Sequence, residues 1–171
     1  MKLSKGVEQG VFVMLMLALS KNHQPVRSDV LSHILDVSDS YLKKILRKLV
    51  AAGLIDSSAA PGGGFVLGRP IETVTLADVL TVFEEAPSAK QSEDFAYRVF
   101  LSCKQTESSV ERVDATLQAG WTAFLSELAH LTLSDLLIRG NYREGVVDWN
   151  QVVREGREAA MAGIDLAERD E

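Results

Sequence analysis

A run of cationic side chains between residues 39 and 52 is the part of the chain best suited to chemistry, and that chemistry is phosphate binding. The cations alternate with apolar residues at helical spacing, so they share an outer face: Lys43, Lys44, Arg47 and Lys48. No acid follows Asp39 in this segment. Such a face suits the phosphates of nucleic acid, although charged helix faces are often only solvated.

The surrounding elements predict a helix-turn-helix followed by a hairpin. The predicted helices and strands are 7–20, 28–35, 39–52, 54–58 and 65–67. Gly53 ends the third helix, and its inward positions are Leu42, Ile45, Leu46 and Leu49. Pro61 and three glycines form the turn between the strands. A hairpin directly after a helix-turn-helix predicts a winged helix.

This arrangement selects candidate DNA contacts, because the second helix of the motif enters the major groove by its N-terminal part. The predicted contacts to bases and nearby phosphates are Ser38, Ser40, Tyr41, Lys43 and Lys44. Arg47 and Lys48 are predicted to bind phosphate alone. The wing adds Arg69 and three glycines that permit close backbone approach, Gly62, Gly63 and Gly64. Two alternatives remain: Tyr41 is a packing residue, and Arg69 is only solvated.

A second pattern lies later in the chain. Thr75 is a predicted N-cap for a helix through Phe83. Ser108 and Glu111 have capping-box spacing and predict a helix start near Ser109. A near-heptad seam follows: Val110, Val113, Leu117, Trp121, Phe124, Leu128 and Leu131. Beside a small domain this seam predicts a dimer interface, and an ordinary core stripe is the alternative.

The predicted fold is mainly α with a small β-hairpin wing, in four parts. They are a winged helix-turn-helix domain (1–83), a connecting or sensor region (84–107), a dimerisation helix (108–138) and a C-terminal loop and helix (139–171). Within the last part, Gly140 to Gly145 is predicted as loop. Trp149 to Ile164 is predicted as the final helix.

Charge divides the chain in two. Its 171 residues carry a net charge of −6, of which residues 1–70 contribute +4 and residues 71–171 contribute −10. A polyanion-binding first part and an acidic remainder are expected. The longest apolar run, Val11 to Leu19, is too short for a bilayer and precedes no cleavage pattern, so a cytoplasmic protein without membrane contact is expected. The single cysteine, Cys103, excludes an internal disulfide.

Several segments resemble the Rrf2 (Rrf-two) family of bacterial regulators, to which IscR, NsrR and CymR belong. The dense matches are the opening 1–8, the Tyr41-Leu42-x-x-Ile45-Leu46-x-x-Leu49 helix, and the segments 52–55, 61–67 and 74–80. Residues 131–137 match the segment that ends the family's long dimerisation helix. The resemblance implies a winged-helix transcription factor that binds a pseudo-palindromic operator in double-stranded DNA as a homodimer.

The chain departs from the family's pattern at three places. Many members ligate an iron–sulfur cluster with three cysteines before the long helix, but residues 86–108 have a single cysteine, Cys103. No cofactor or metal is therefore expected. Lys43 stands where members often have glutamate, and Ala59-Ala60 replace a common Arg-Gly pair. These changes leave the target sequence open.

The leading interpretation is a homodimeric, sequence-specific repressor without a cluster. The alternative is a winged-helix protein-interaction module that has lost DNA binding. An enzyme is not expected, because His23, His33 and His130 are far apart and no nucleophile–base set is visible.

The input that such a regulator would sense remains open. Cys103 is either an oxidation-sensitive thiol or a small buried hydrophobe. A small-molecule or protein effector is the other possibility. Four aromatic residues could hold such a ligand: Phe83, Phe95, Tyr97 and Phe100. The alternative is that these side chains only pack in the protein interior.

Overall fold

The computed structural model describes residues 3–58, 62–89, 98–99 and 103–156, and its helices are numbered here in chain order. They are α1 (Lys5–Leu19), α2 (Ser28–Ile34), α3 (Asp39–Ala51), α4 (Leu76–Phe83), α5 (Cys103–Leu128), α6 (Arg139–Glu144) and α7 (Trp149–Glu155). The strands are β1 (Ile55–Ser57) and β2 (Phe65–Leu67), and 3₁₀ turns cover Lys21–His23, Ile71–Thr73 and Leu133–Leu136. None of the described helices combines the length and apolarity that a membrane crossing requires.

The first three helices form the predicted helix-turn-helix around an apolar core. All four predicted inward residues of α3 are buried: Leu42, Ile45, Leu46 and Leu49. Ser38 caps this helix, because its hydroxyl accepts a hydrogen bond from the Tyr41 amide at 3.4 Å. The predicted mainly α fold with a hairpin wing is therefore confirmed.

The hairpin is fastened to the chain segment that precedes α2. Strand β2 pairs antiparallel with β1, and on its other side Phe65 exchanges two backbone hydrogen bonds with Val26, at 2.8 and 3.0 Å. Gly64 permits this approach, since a Cβ there would lie 2.6 Å from the Val26 carbonyl oxygen. The glycine-rich turn thus has a structural function in placing the wing beside α2.

Helix α4 begins with a reciprocal capping box, which confirms Thr75 as its N-cap. The Thr75 hydroxyl accepts from the Asp78 amide at 3.1 Å, and the Asp78 carboxylate accepts from the Thr75 amide at 2.8 Å. Two of the amides left over at the start of the helix are satisfied in this way.

Replacing Thr75 with alanine is expected to lower the free energy of unfolding by about 1 kcal/mol, because an N-terminal amide of α4 loses its acceptor. Urea unfolding followed by circular dichroism measures the loss. Thr81→Ala is the matched control, since Thr81 is exposed in the same helix and should change stability by less than about 0.5 kcal/mol. Equal losses in both variants would contradict the capping role.

The long helix differs from its prediction at both ends. It runs from Cys103 to Leu128, so the predicted start near Ser109 and the range 108–138 are wrong. Ser108 and Glu111 are exposed inside the helix, where their capping-box spacing has no structural consequence. The capping box that does form joins Thr132 to Asp135 and begins the 3₁₀ turn. Leu131 therefore lies beyond the helix.

The chain then returns to the winged-helix core. The Leu131 carbonyl accepts from the Leu76 amide at 2.9 Å, and the Leu133 amide donates to the Val74 carbonyl at 2.8 Å. Leu133 is completely buried. These contacts fix the C-terminal end of α5 against the start of α4.

The C-terminal segment packs on the end of α1, which the sequence patterns did not predict. Helix α6 occupies most of the predicted loop from Gly140 to Gly145, so that prediction is wrong. Gly140 is tolerated in the helix because it is exposed, and a Cβ there would meet no atom within 4 Å. Trp149 then begins α7 and donates its indole N–H to the Met16 carbonyl at 2.8 Å. Helix α7 ends at Glu155, since Gly156 has a φ of +85°, so the prediction of one helix through Ile164 is wrong. Residues 157–164 lie outside the described residues.

Candidate nucleic-acid interface

The outer face of α3 is free of covering structure in the described part of the chain. Every residue predicted there to contact DNA is exposed: Ser38, Ser40, Tyr41, Lys43, Lys44, Arg47 and Lys48. Tyr41 is 38% exposed, so it does not belong to the buried core. The polar and cationic side chains are presented together because the apolar stripe of α3 faces inward.

The N-terminal end of α3 lies beside the turn of the wing. A shallow depression of about 300 Å³ is lined by Ser28, Asp39 and Lys43 on the helical side and by Gly63 and Gly64 on the wing side. Gly62, at the tip, has a φ of +77°, a conformation that favours glycine. The structure thus brings Asp39 and Lys43 of α3 and two of the predicted wing contacts, Gly63 and Gly64, to one surface.

Arg27 joins this surface and was missed by the sequence patterns. Its guanidinium donates to both carboxylate oxygens of Asp29, at 3.0 and 2.8 Å. Hydrogen bonding and charge raise the pKa of Arg27 and lower that of Asp29. Arg27 also lines the depression beside Gly64. The available signal was the Arg-x-Asp spacing at the start of α2, which orients the guanidinium through a bidentate pair.

Lys43 is engaged within its own helix. Its ammonium lies 2.6 Å from the Asp39 carboxylate, one turn earlier. The pKa of Asp39 is lowered, mainly by the hydrogen bond from Lys43 and to a smaller extent by the hydrogen bond from the Ser28 hydroxyl. The pair cancels much of the charge at the start of α3. Lys44 and Arg47 have no ion pair among the described residues, so they supply the net positive charge of this face.

Two predicted phosphate contacts have other partners. The Lys48 ammonium lies 5.5 Å from the centroid of the Phe83 ring, at the junction of α3 and α4. The Arg69 guanidinium pairs with Asp78 at 2.8 Å, and both residues line a depression together with Gly53. Both cations stabilise contacts between elements and are less available to DNA than Lys44 or Arg47.

The proposed ligand-binding aromatic group lies only partly within the described residues. Phe83 packs against α1, since a Cβ at Gly6 or Gly10 would lie 3.0 or 2.6 Å from its ring. This supports the packing interpretation for Phe83. Phe95, Tyr97 and Phe100 lie outside the described residues.

The predicted dimer seam lies along α5 with little cover from its own chain. Val113 is 54% exposed and Leu117 is 37% exposed. The others on the helix are partly buried: Val110, Trp121, Phe124 and Leu128. The rings of Trp121 and Phe124 contact each other with centroids 5.8 Å apart. Leu131 is exposed beyond the helix end, and so does not continue the helical seam.

Cys103 is the first residue of α5, and its side chain is outside the described part of the structure. Across the described ranges, no three His, Cys, Asp or Glu side chains are grouped in a way that would hold a metal ion.

Curated relatives extend over most of the chain. YwgB of Bacillus subtilis, named as an HTH-type transcriptional regulator, is 33% identical over 149 residues, covering 87% of this chain and 94% of its own. YffB of Lactococcus lactis, named in the same way, is 30% identical over 150 residues, covering 86% and 96%. IscR of Vibrio vulnificus is 33% identical over 93 residues, which cover 54% of this chain and 55% of IscR.

Solved structures have a similar fold. CymR of B. subtilis superposes with a TM-score of 0.53 at 24% identity, covering 80% of this chain and 95% of CymR. IscR of T. potens gives a TM-score of 0.54 at 22% identity, covering 96% and 94%. The sequence model of the Rrf2 family, described as an iron-dependent transcriptional regulator, matches residues 3–139. The chain therefore belongs to the Rrf2 family of DNA-binding transcriptional regulators.

Proposed function

We propose that this chain is a homodimeric repressor that binds a pseudo-palindromic operator, acts in the cytoplasm, and has neither enzymatic activity nor a resident iron–sulfur cluster. The observation that carries the proposal is the exposed outer face of α3 beside the turn of the wing, where Lys44 and Arg47 have no ion pair with any described residue. A helix end and a wing on one surface match the way a winged helix engages the major groove and adjacent backbone.

Within this surface, some residues are placed to contact bases and others to contact phosphates. Ser40 and Tyr41 lie in the first turn of α3, where side chains reach base edges. Lys44 and Arg47 lie farther along and suit phosphates, which supply affinity without sequence information. Arg27 and the glycines of the wing are proposed to contact the backbone beyond the groove.

The dimer is proposed from the apolar residues of α5 that the described part of the chain leaves exposed. A 26-residue helix with exposed valine and leucine at positions 113 and 117 leaves apolar surface in water. A second copy related by a two-fold axis would bury the same residues on both chains. This arrangement would present two copies of α3 to half-sites about one helical turn apart.

An iron–sulfur cluster does not fit the ligands of this chain, although the family description mentions iron. Clusters of the common types require several thiolates, and this chain has one cysteine. A dimer would bring at most two thiolates to its axis. We therefore assign Cys103 no ligand function, and propose that the signal controlling this regulator is not a cluster.

Repression is proposed as the direct consequence of operator occupancy, since a bound dimer blocks access of other proteins to the same DNA. Genomic footprinting, with transcript levels compared between parent and deletion strains, tests this. Discrete footprints with raised transcripts in the deletion strain are expected. An absence of footprints would favour the protein-interaction module, and lowered transcripts would make the protein an activator.

Replacing Lys44 or Arg47 with alanine is expected to weaken binding to all DNA sequences. It should also reduce the slope of log affinity against log salt by about one unit for each lost phosphate contact. Ser40→Ala and Tyr41→Ala should instead change the preference among operator variants. Fluorescence anisotropy over a salt series measures both effects.

Arg154→Ala is the matched control, because Arg154 is exposed on α7 and does not line the depression between α3 and the wing. Its affinity and salt slope should equal those of the parent. If Lys44→Ala and Arg47→Ala also leave both quantities unchanged, the assignment of α3 as the recognition helix is wrong.

A further inference from the structure

A cleft lies between the base of the wing and the C-terminal segment, apart from the proposed DNA surface. It has a volume of about 470 Å³, within the range of small-molecule sites. One wall is formed by residues 66–72, which include the second half of β2 and the 3₁₀ turn that follows. The opposite wall is formed by Leu17 at the end of α1 and by Tyr142 and Arg143 of α6.

The lining of the cleft combines apolar side chains with the ring and hydroxyl of Tyr142. Leu17, Leu67 and Ile71 supply the apolar surface. Tyr142 is only 7% exposed, and its hydroxyl has no hydrogen-bond partner among the described residues. A tyrosyl hydroxyl can donate and accept a hydrogen bond, so this residue of the cleft lining can bind a polar group of a ligand.

The rim of the cleft favours an anion. Arg143 has no ion pair within the described ranges, whereas the guanidinium of Arg69 is already held by Asp78. The Nε2–H group of His23 donates to the Arg143 carbonyl at 3.0 Å. The Nδ1 atom of the same ring is not used in this hydrogen bond. Glu72 is the acid on this rim among the described lining residues. Arg143 and Tyr142 both line the cleft, and among the described residues neither side chain has an ion pair or a hydrogen-bond partner, so together they can supply donors for a carboxylate.

The backbone beside His23 is held in a costly conformation. Asn22 and His23 have φ values of +53° and +50°, in the left-handed region that residues other than glycine seldom adopt. Such residues persist where surrounding structure fixes them, and they are frequent at ligand sites. Here the Lys21 and Asn22 amides donate to the Val147 and Gly145 carbonyls, at 2.9 and 3.4 Å. The histidine is therefore fixed at the rim before any ligand arrives.

We infer that this cleft binds a small carboxylate with an aromatic or branched apolar body. The carboxylate accepts hydrogen bonds from Arg143 and the Tyr142 hydroxyl, and the apolar body covers Leu67 and Ile71. The inference goes beyond the proposed function and does not depend on it, so binding is measured on the full chain without DNA.

The test uses benzoate, phenylacetate, indole-3-acetate and 4-methylpentanoate, each paired with its neutral amide. Titration followed by calorimetry and by ligand-observed NMR gives the dissociation constants. Saturable binding of at least one carboxylate is expected, with its amide at least about tenfold weaker. Absence of binding by all four carboxylates, or equal binding of acids and amides, would overturn the inference.

Two variants locate the site. Arg143→Gln should weaken binding of the carboxylate at least about tenfold, and Tyr142→Phe should weaken it severalfold while retaining the packing of the ring. Arg154→Gln is the control for loss of one positive charge, because this arginine lies on α7 outside the cleft. Thermal melts verify folding of each variant. Equal affinities for Arg143→Gln and Arg154→Gln would show that the carboxylate binds elsewhere, against the inference.

Discussion

A Leu117→Asp variant is expected to be monomeric and to bind a two-half-site operator about 10²–10⁴-fold more weakly than the parent. Leu117 lies in the middle of α5 between Val113 and Trp121, and its own chain leaves it 37% exposed. In the proposed dimer, each chain would bury one such aspartate at the interface without a partner for its charge. Without the dimer, the second half-site no longer adds an intramolecular binding event.

Sedimentation velocity at micromolar concentration and anisotropy with operator DNA measure these two effects. Ala119→Asp is the matched control, since position 119 is exposed on α5 and lies about 200° around the helix from position 117. This variant should remain dimeric and retain operator affinity. A monomeric parent, or a Leu117→Asp protein that remains dimeric, would contradict the assignment of this seam.

The winged-helix part could be predicted from the sequence because its determinants are local. The apolar spacing of Leu42, Ile45 and Leu49 defines the buried face of α3 whatever the rest of the chain does. Gly53 and the glycines of the wing mark the chain reversals, where φ is positive at Gly53 and Gly62. Thr75 and Asp78 satisfy each other within four residues. Each of these features is complete within a short window of sequence.

The ends of α5 and the partners of several cations depend on contacts across the chain. Ser-x-x-Glu at 108–111 and Thr-x-x-Asp at 132–135 have the same spacing, but only the second becomes a cap. Thr132, which begins that second cap, pairs with Thr75 in an antiparallel bridge. No local sequence pattern predicts this contact. Likewise, Lys48 and Arg69 resemble Lys44 and Arg47 in sequence. The neighbours that distinguish them, Phe83 and Asp78, are known only from the fold.

The C-terminal segment depends most strongly on such a distant contact, and Gly145→Ala is expected to detach it. Gly145 has a φ of +64°, and a Cβ there would overlap the carbonyl oxygen of Ser20 at the end of α1. Both the conformation and the overlap involve backbone, so neither is relieved by rotation of a side chain. Together they should cost about 3 kcal/mol or more.

Detachment has specific signs, because the segment is held by named hydrogen bonds. The Lys21 amide should lose protection from hydrogen exchange as its bond to the Val147 carbonyl opens. The emission of Trp149 should shift to the red when its indole leaves the Met16 carbonyl. A Trp121→Phe background removes the chain's other tryptophan from this measurement.

Gly140→Ala is the matched control, since a Cβ at Gly140 meets nothing within 4 Å in helix α6. Alanine there should stabilise the helix by about 0.5–1 kcal/mol. It should leave the Lys21 amide protected and the Trp149 emission unchanged. Because both variants add one methyl group to the same segment, a difference between them depends on the contact of Gly145 with Ser20. If the Lys21 amide remains as protected in Gly145→Ala as in Gly140→Ala, the segment is not held at this contact.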